Sequence, residues 1–323
     1  MFPKVGKLVL SRTALLICDI QEKFRPQISH FQAITEVSSR LLQAARILGM
    51  RTIVTEMYPK GLGKTVPELG DLSGIPVIPK TSFTMYTDEV AGILGLGDQI
   101  DSVLLCGIES HVCVQATALD LVERGADVHC IVDACSSRNM VDRIMAFHRL
   151  RQSGVYLTTC ESALLTILCG SQHPNFRLGK TVPELGDLSG IPVIPKTSFT
   201  MYTDEVAGIL GLGDQIDSVL LCGIESHVCV QATALDLVER GADVHCIVDA
   251  CSSRNMVDRI MAFHRLRQSG VYLTTCESAL LTILCGSQHP NFRAIQKLIL
   301  TPSPDSGLLA SFGATKLHTG PHE

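Results

Sequence analysis

Three residues of different chemistry each stand at the end of an apolar segment. Asp19 ends the segment TALLICD, Lys80 ends IPVIPK, and Cys113 follows shortly after SVLLCGI. Together they offer a base, a cation and a nucleophilic thiol, which are the parts needed for covalent acyl transfer. Each also has an ordinary alternative interpretation, as a turn residue, a solvated lysine and a packing cysteine.

Cys113 is distinguished from the other cysteines by its position. Ser110 is expected to cap a helix that starts near Val112, which would place Cys113 close to a helix N-terminus, where the helix dipole stabilises an anion. The chain has 13 cysteines, without a CxxC pair or the Cys/His spacing of a zinc site. Most are therefore interpreted as buried free thiols of a protein in a reducing compartment.

Strands and helices alternate along the chain, which predicts an α/β fold with a doubly wound, Rossmann-like parallel sheet between two layers of helices. The clearest helix is expected over 31–48. The strands are predicted at 13–19, 51–58, 75–80, 102–108, 127–135 and 155–160, and further helices at 112–124, 139–152 and 162–169. Ligands bind beyond the carboxyl ends of such strands, and the first strand is typically central. Asp19, Lys80 and Cys113 are thus expected to meet at one edge.

Composition narrows the class of protein. The chain has 323 residues, of which 46% are hydrophobic and 18% charged, with a net charge of −5. No basic patch indicates nucleic-acid binding, and no apolar run approaches the roughly 18 residues of a membrane helix. The sequence predicts a cytoplasmic protein with a small-molecule substrate, and it leaves homo-oligomerisation open. Because the first residues are basic and apolar, a mitochondrial or nuclear location is the alternative.

An internal repeat organises the chain. Residues 62–177 recur without a single change as 178–293, preceded by a unique segment and followed by a C-terminal helix and tail over 294–323. Such identity indicates either a very recent duplication or a product of how the gene was assembled, and the residues do not distinguish the two. The domain expected over 1–177 would be complete, whereas 178–293 repeats its last four strands and lacks the first two.

The repeat supplies two nucleophiles but only one base. Lys196 and Cys229 duplicate Lys80 and Cys113, whereas Asp19 has no second copy. The connection from Asp19 to the first copy is the shorter one, although loop-closure entropy favours it by only about 1 kcal/mol. The first copy also emerges first during synthesis. We therefore expect the first copy to complete the sheet, and the second copy to be an orphan with exposed strand edges.

The motifs resemble those of a known family. LLICDIQEKF is similar to the DxQxxF start of the isochorismatase-like hydrolases, also called cysteine hydrolases or the nicotinamidase-like superfamily. PVIPKTSFT resembles their catalytic-lysine strand, and VLLCGIESHVCV resembles their nucleophile motif. The resemblance covers 1–177 and resumes at 294–312, with all three motifs at the expected spacing. It implies the three-layer α/β/α fold and a hydrolase with a Cys-Asp-Lys triad and a thioester acyl-enzyme.

The resemblance also implies roles for individual residues. Asp19 would be the general base, Lys80 the second triad member and Cys113 the nucleophile. The family has a cis peptide just upstream of the cysteine, here at Ile108–Glu109, which would turn backbone N–H groups toward the substrate oxygen. Glu109 is thereby assigned to the oxyanion or substrate site. Phe24 is a candidate for the pocket lining, with a purely structural role as the alternative.

The sequence departs from the family pattern in two places. Many nicotinamidases bind a metal through histidines after the second strand, but TEMYPKGLGKT has none. The sequence therefore predicts no metal and no other cofactor. Glu109 is larger than is common at its position, and His111 beside it is either a modulator of Cys113 or a solvated loop residue. The alternative function is a catalytically inactive binding or scaffold protein of the same fold, and a vinyl-ether hydrolase using only the aspartate is less favoured.

Overall fold

A six-stranded parallel sheet forms the core of the first part of the chain. The computed structural model describes residues 5–168, 181–213, 216–301, 304 and 306–308. The described residues divide into two compact units, 5–168 and the part that begins at 181. The end of the first repeat copy and the tail beyond 308 lie outside the described residues. Among the helices that the structure describes, none has both the length and the apolarity to cross a membrane.

The sheet of the first unit has the strand order β3–β2–β1–β4–β5–β6. The strands are β1 (Thr13–Cys18), β2 (Arg51–Met57), β3 (Val77–Lys80), β4 (Ser102–Ile108), β5 (Asp127–Ser136) and β6 (Tyr156–Thr158). The order reverses direction between β1 and β4, which is where ligands bind in open parallel sheets. The predicted fold class is therefore confirmed, and the first strand is central as expected.

Helices cover both faces of this sheet. They are α1 (Phe31–Leu48), α2 (Pro59–Leu62), α3 (Asp88–Leu94), α4 (Gln115–Glu123), α5 (Met140–Gln152) and α6 (Cys160–Ile167). Helix α1 has the predicted bounds, and its apolar stripe is buried while Gly49 ends it in the left-handed region. Helix α1 packs beside α6, and α4 packs beside α5. The elements differ from the sequence prediction mainly at their ends, with β6 and α4 shorter than expected.

The two central strands are buried along their whole length. Every residue of β1 and of β4 is buried, as their continuous apolar composition predicts for strands covered on both faces. They pair in parallel from Thr13↔Ser102 to Cys18↔Gly107. The carboxyl ends of the two strands therefore stand side by side, which places Asp19 next to the turn that carries Cys113.

Gly107 permits the close approach of β1 and β4 at this end. Its φ is +122°, and a Cβ built there would lie 2.1 Å from the carbonyl oxygen of Cys18. No side chain fits at that distance, since the atom met is backbone. The equivalent Gly223 also has a positive φ, of +142°, but the nearest atom to its Cβ would be a Val230 methyl at 3.9 Å. The same residue is thus sterically required in only one copy.

Gly107→Ala is expected to destabilise its unit more than Gly223→Ala does. The strained φ costs about 1–3 kcal/mol in both variants. Gly107→Ala adds a collision with backbone, and overpacking costs another ~1–3 kcal/mol or more. Urea unfolding followed by far-UV circular dichroism measures the difference. Equal losses of stability in the two variants would contradict the close approach of β1 and β4.

The second unit has a sheet of three strands, in the order β7–β8–β9. They are β7 (Ser218–Ile224), β8 (Asp243–Ser252) and β9 (Tyr272–Thr274), and the helices are α7 (Asp204–Leu210), α8 (Gln231–Glu239), α9 (Met256–Gln268), α10 (Cys276–Leu284) and α11 (Phe292–Ile299). The expectation of four strands in this copy was wrong. The counterpart of β3, residues 193–196, forms no strand, because β3 pairs with β2 and the repeat contains no second β2.

Strand β7 lies at an edge of its sheet, although its sequence is that of the central β4. In the first unit β4 pairs with β1 on one side and β5 on the other, whereas β7 pairs with β8 alone among the described strands. As a result Leu220 is 47% exposed and Ile224 is 79% exposed. The structure therefore pairs the unique first strand with the first copy, as expected, and leaves the second copy with an apolar edge.

Candidate active site

Asp19 lies immediately after β1 and is buried at the carboxyl edge of the sheet. Its backbone is left-handed, with φ +52°, and its amide donates to the carbonyl of Thr55 at 3.2 Å. One carboxylate oxygen, Oδ1, accepts a hydrogen bond from Thr55 Oγ1 at 2.7 Å. The other, Oδ2, lies 2.6 Å from Lys80 Nζ. The carboxylate is thus held from two neighbouring strands, with 1% of its side chain exposed.

The Lys80 ammonium is fully enclosed and fully bonded. Besides Asp19, it donates to the carbonyl oxygens of Ser82 and Phe83, each at 3.1 Å. These three oxygens match the three N–H donors of an ammonium group. Burial alone lowers the pKa of Lys80, but the nearby thiols and the Asp19 carboxylate outweigh it, so that this pKa is raised above its usual value. Lys80 therefore stays positively charged beside Asp19 at neutral pH.

Cys113 lies in a π-helical turn, Ser110–Val114, between β4 and α4. Two details of the sequence prediction were wrong here. The regular helix starts at Gln115 rather than near Val112, and Ser110 does not cap it, since its buried hydroxyl makes no hydrogen bond in the structure. The extra residue in the turn lets the Val114 amide reach back to the Glu109 carbonyl at 3.2 Å. Such one-turn π segments are frequent at functional sites.

The structure brings all three predicted residues together and adds a fourth, Cys18. One sulfur or carboxylate oxygen from each of Cys18, Asp19 and Cys113 lies within 4.8 Å of the others. Cys18 Sγ also donates to Asp19 Oδ2 at 3.3 Å. Cys113 is 7% exposed and Cys18 is fully buried. Of these two cysteines, only Cys113 therefore has surface accessible to solvent.

Sequence reasoning missed Cys18 for a physical reason. Neighbouring residues of a strand point to opposite faces, so a cysteine before a site aspartate is expected to point away from it. The left-handed φ of Asp19 breaks that alternation and lets both side chains face the same space. Thr55 was also missed, and its signal was available, because the carboxyl end of β2 was expected beside that of β1.

The residues around the cis position are held by polar contacts. The peptide bond Ile108–Glu109 is cis, as the family resemblance implies. The Glu109 carboxylate accepts a hydrogen bond from Arg138 Nε at 3.0 Å. His111 Nδ1 lies 2.9 Å from Ser137 Oγ, and His111 Nε2 lies 3.7 Å from an Asp142 oxygen. These contacts anchor His111 between the start of α5 and the loop before it, rather than on Cys113.

Two further features from the sequence analysis are the Phe24 side chain and the stretch after β2, which was considered for a metal site. Phe24 is half-buried in a 3-10 turn after β1, Glu22–Phe24, so it stays a candidate for the pocket lining. In the stretch where metal-binding relatives carry histidines, the Glu56 carboxylate already accepts hydrogen bonds from the backbone and hydroxyl of Thr65 and from Lys64 Nζ. At the carboxyl edge of the sheet, the Lys80 ammonium 2.6 Å from Asp19 opposes a second cation. Neither group of residues fits a metal.

The second copy keeps the lysine loop but not the aspartate. Lys196 Nζ donates to the carbonyls of Ser198 and Phe199 at 2.9 Å each, which repeats two of the three bonds of Lys80. Cys229 lies in the same π-helical turn and is half-exposed. Before it, Glu225 has a left-handed φ of +60°, where the first copy has the cis peptide. Identical residues thus take a different backbone conformation without β1 beside them.

Thr55→Val is expected to weaken catalysis without unfolding the protein. Valine keeps the shape but removes the hydrogen bond to Asp19 Oδ1, which frees the carboxylate to turn away from Cys113. A hydrogen bond to a charged group contributes about 1.5–3 kcal/mol, which corresponds to a loss of about 10- to 150-fold in the reactivity of Cys113. The rate of Cys113 alkylation by iodoacetamide, followed in Cys229→Ala because the two cysteines lie in identical peptides, measures this effect. An unchanged rate would show that Thr55 does not position Asp19.

Comparison with known families gives one consistent assignment. The model of the Isochorismatase domain matches the chain twice, over residues 13–162 and 172–278. The chain is 48% identical over 189 residues to isochorismatase domain-containing protein 2 of Xenopus laevis, an alignment that covers 58% of this chain and 92% of that protein. It is 51% identical over 174 residues to the protein of the same name from Danio rerio, covering 54% of this chain and 87% of that one.

A solved structure gives a similar picture. The chain is 45% identical to the MAR1 ribonuclease of Caenorhabditis elegans, with a TM-score of 0.49, over 53% of this chain and 88% of that one. In both comparisons with isochorismatase domain-containing protein 2, most of the relative aligns with little more than half of this chain. This is the proportion expected of a chain that adds a partial second copy to a complete domain.

Proposed function

Since the chain belongs to the isochorismatase family, we propose that its first unit is a cysteine hydrolase that acts on a small amide or a related carbonyl compound. One observation supports this proposal most directly. The buried Asp19 carboxylate lies 2.6 Å from the Lys80 ammonium and within 4.8 Å of the Cys113 sulfur. A base fixed by a cation and placed beside an accessible thiol is an arrangement suited to nucleophilic catalysis.

The first half of the proposed reaction forms a thioester. Asp19 takes the proton of the Cys113 thiol, and the thiolate attacks the substrate carbonyl carbon. Backbone N–H groups at the turn Ile108–Cys113, including that of Cys113, stabilise the negative charge on the carbonyl oxygen. The protonated Asp19 then gives its proton to the leaving nitrogen, so that an amine departs and the acyl group stays on Cys113.

The second half releases the acyl group. Asp19, again a carboxylate, takes a proton from water, and the resulting hydroxide attacks the thioester carbonyl. The Cys113 thiolate leaves and recovers the proton from Asp19, while the carboxylic acid product departs. Lys80 stays protonated throughout, because its raised pKa keeps it charged, and it holds Asp19 Oδ2 in place. Glu109 and Phe24 are assigned to the surroundings of the substrate.

The second unit has no place in this reaction. Cys229 and Lys196 repeat the nucleophile and the cation, but the base would have to come from β1, which is paired with β4 in the first unit. We therefore assign one active site to the chain and regard the second copy as a catalytic orphan.

The proposal is tested by incubating the full chain with a panel of small primary and secondary amides and measuring amine release. We expect turnover of at least one amide. When the reaction is stopped with acid and the peptides are weighed by mass spectrometry, we expect an acyl adduct that persists in Cys229→Ala and is lost in Cys113→Ala, since the two cysteines lie in identical peptides. Absence of turnover and of any adduct across the panel would favour the alternative, a binding protein that retains the fold.

A further inference from the structure

We propose that Cys18 and Cys113 form an oxidisable pair, in which a hydroperoxide converts Cys113 to a sulfenic acid and Cys18 then closes a disulfide with it. This site of modification rests on the Cys113 thiolate and Asp19 base of the proposed function. It assigns a role to Cys18 that hydrolysis does not use. The pair would turn the hydrolase off reversibly instead of allowing its nucleophile to be destroyed.

The positions of the two sulfurs support a fixed order of events. Cys113 is 7% exposed and Cys18 is 0% exposed, so of the two residues only Cys113 presents surface to a peroxide in solvent. The two sulfurs lie within 4.8 Å of each other. A disulfide bond is about 2.05 Å long, so the sulfurs must approach by less than about 3 Å, a distance that side-chain rotation and a small shift of the turn can supply. Cys18 ends β1, and Cys113 follows β4, which pairs directly with β1 in the sheet.

The surroundings of the two thiols suit them to different steps of the oxidation. Burial and the neighbouring Cys113 thiol raise the pKa of Cys18 well above its usual value, and the Asp19 charge adds to this. Cys18 therefore stays a thiol until a neighbouring base can take its proton. That base is Asp19, because Cys18 Sγ donates a hydrogen bond to Asp19 Oδ2 at 3.3 Å. Redox-sensitive cysteines are typically accessible and placed beside a second, resolving cysteine.

The chemistry balances with hydrogen peroxide as the only co-reactant. Asp19 takes the Cys113 proton, and the thiolate attacks one peroxide oxygen, which forms S–OH and releases hydroxide. The hydroxide takes the proton from Asp19 and leaves as water. Asp19 next takes the Cys18 proton, and the Cys18 sulfur attacks the Cys113 sulfur. The S–O bond breaks, the second hydroxide takes that proton, and a second water leaves. Two thiols have become one disulfide, and the peroxide has become two waters.

The chain contains its own controls. Cys229 has the same local sequence as Cys113, but the repeat has no counterpart of Cys18, so oxidation at Cys229 has no such partner. A competing pair exists in β5, where the sulfurs of Cys130 and Cys135 lie 3.8 Å apart. Both are fully buried, and the hydrogen bond with the Cys135 thiol, together with burial, raises the pKa of Cys130 well above its usual value. They are not expected to react first.

Because Cys113 and Cys229 lie in identical peptides, the wild-type and Cys18-variant chains all carry Cys229→Ala in this experiment. The reduced full chain is treated with hydrogen peroxide, free thiols are blocked, and unreduced peptides are mapped by mass spectrometry. We expect a peptide linked through Cys18 and Cys113, and recovery of Cys113 alkylation after dithiothreitol. In Cys18→Ser, and in Cys18→Val as a second variant against misfolding, we expect sulfinic acid at Cys113 and loss of that recovery. Each variant is compared with its own untreated sample.

Three results would overturn the pair: wild-type Cys113 recovered as sulfinic acid without a linked peptide, a linkage confined to Cys130 and Cys135, or equal recovery in the wild type and both Cys18 variants. The readout needs no substrate. Failure of the proposed function shows instead as an inactive reduced protein, so the two failures are distinguishable.

Discussion

Cys113→Ala is expected to abolish hydrolysis, whereas Cys229→Ala leaves it intact. Alanine removes the sulfur proposed to form the acyl-enzyme, and the neighbouring Cys18 is fully buried. Loss of a nucleophile that acts as part of a unit lowers kcat by about four orders of magnitude or more. The two variants make the same chemical change in the same local sequence, so any general effect of losing a thiol is common to both.

The comparison is made with the amide that the screen identifies, by measuring kcat/KM for the wild type and both variants. The physical reason for the difference is Asp19, which lies within 4.8 Å of the Cys113 sulfur and follows a strand that pairs with the first copy. If Cys229→Ala removed activity and Cys113→Ala did not, the assignment of the site to the first unit would be wrong.

The second large effect is expected from Lys80→Met, with Lys196→Met as the matched control. The Lys80 side chain is fully buried, and methionine would leave the Asp19 carboxylate buried without its cation. Removing one partner of a buried ion pair costs about 3–5 kcal/mol of stability. General-base catalysis contributes about 10²- to 10⁴-fold, and a displaced Asp19 should forfeit most of it. Lys196 is half-exposed, and its loss should change stability by no more than about 0.5 kcal/mol.

The same pair predicts how stability depends on pH. A lysine whose pKa is raised on folding contributes stability that is fully present below its unfolded pKa, about 10.4, and is lost as the pH rises through the higher folded pKa. The wild type should therefore keep this contribution through neutral pH and lose it only above about pH 10. Urea unfolding at increasing pH measures it, and Lys80→Met should lack this alkaline loss. The same alkaline loss in Lys80→Met would exclude Lys80 as its source.

The fold followed closely from apolar periodicity. Strands β1, β2 and β4 and helix α1 match their predicted bounds within a residue, because buried parallel strands are continuously apolar and α1 has a clean stripe with Gly49 at its end. The wrong predictions concern elements that depend on their neighbours in the fold. Residues 193–196 have the sequence of a strand and form none, because a strand exists only where a neighbouring strand accepts its hydrogen bonds.

The residue types of the site could be predicted from the sequence, but the backbone geometry that positions them could not. The carboxyl-edge rule places Asp19, Lys80 and Cys113 together, since it depends only on where strands end. The π-turn at Ser110–Val114 and the left-handed Asp19 depend on tertiary contacts that no local pattern encodes. The left-handed backbone of Asp19 makes the Cys18 side chain face the site. Glu225 illustrates the same point, because an identical segment adopts another conformation once β1 is absent.

The most direct test of a single Asp19-dependent nucleophile is competitive thiol labelling of the full chain. Because the two cysteines lie in identical peptides, Cys113 is followed in Cys229→Ala and Cys229 in Cys113→Ala. A limiting amount of iodoacetamide is added to each protein, with and without Asp19→Asn, and the labelling rates are measured by mass spectrometry. Cys113 should react far faster than Cys229 despite its smaller exposed fraction, and Asp19→Asn should abolish that advantage without altering Cys229. Equal slow rates for the two cysteines, or a fast Cys113 in Asp19→Asn, would contradict the account.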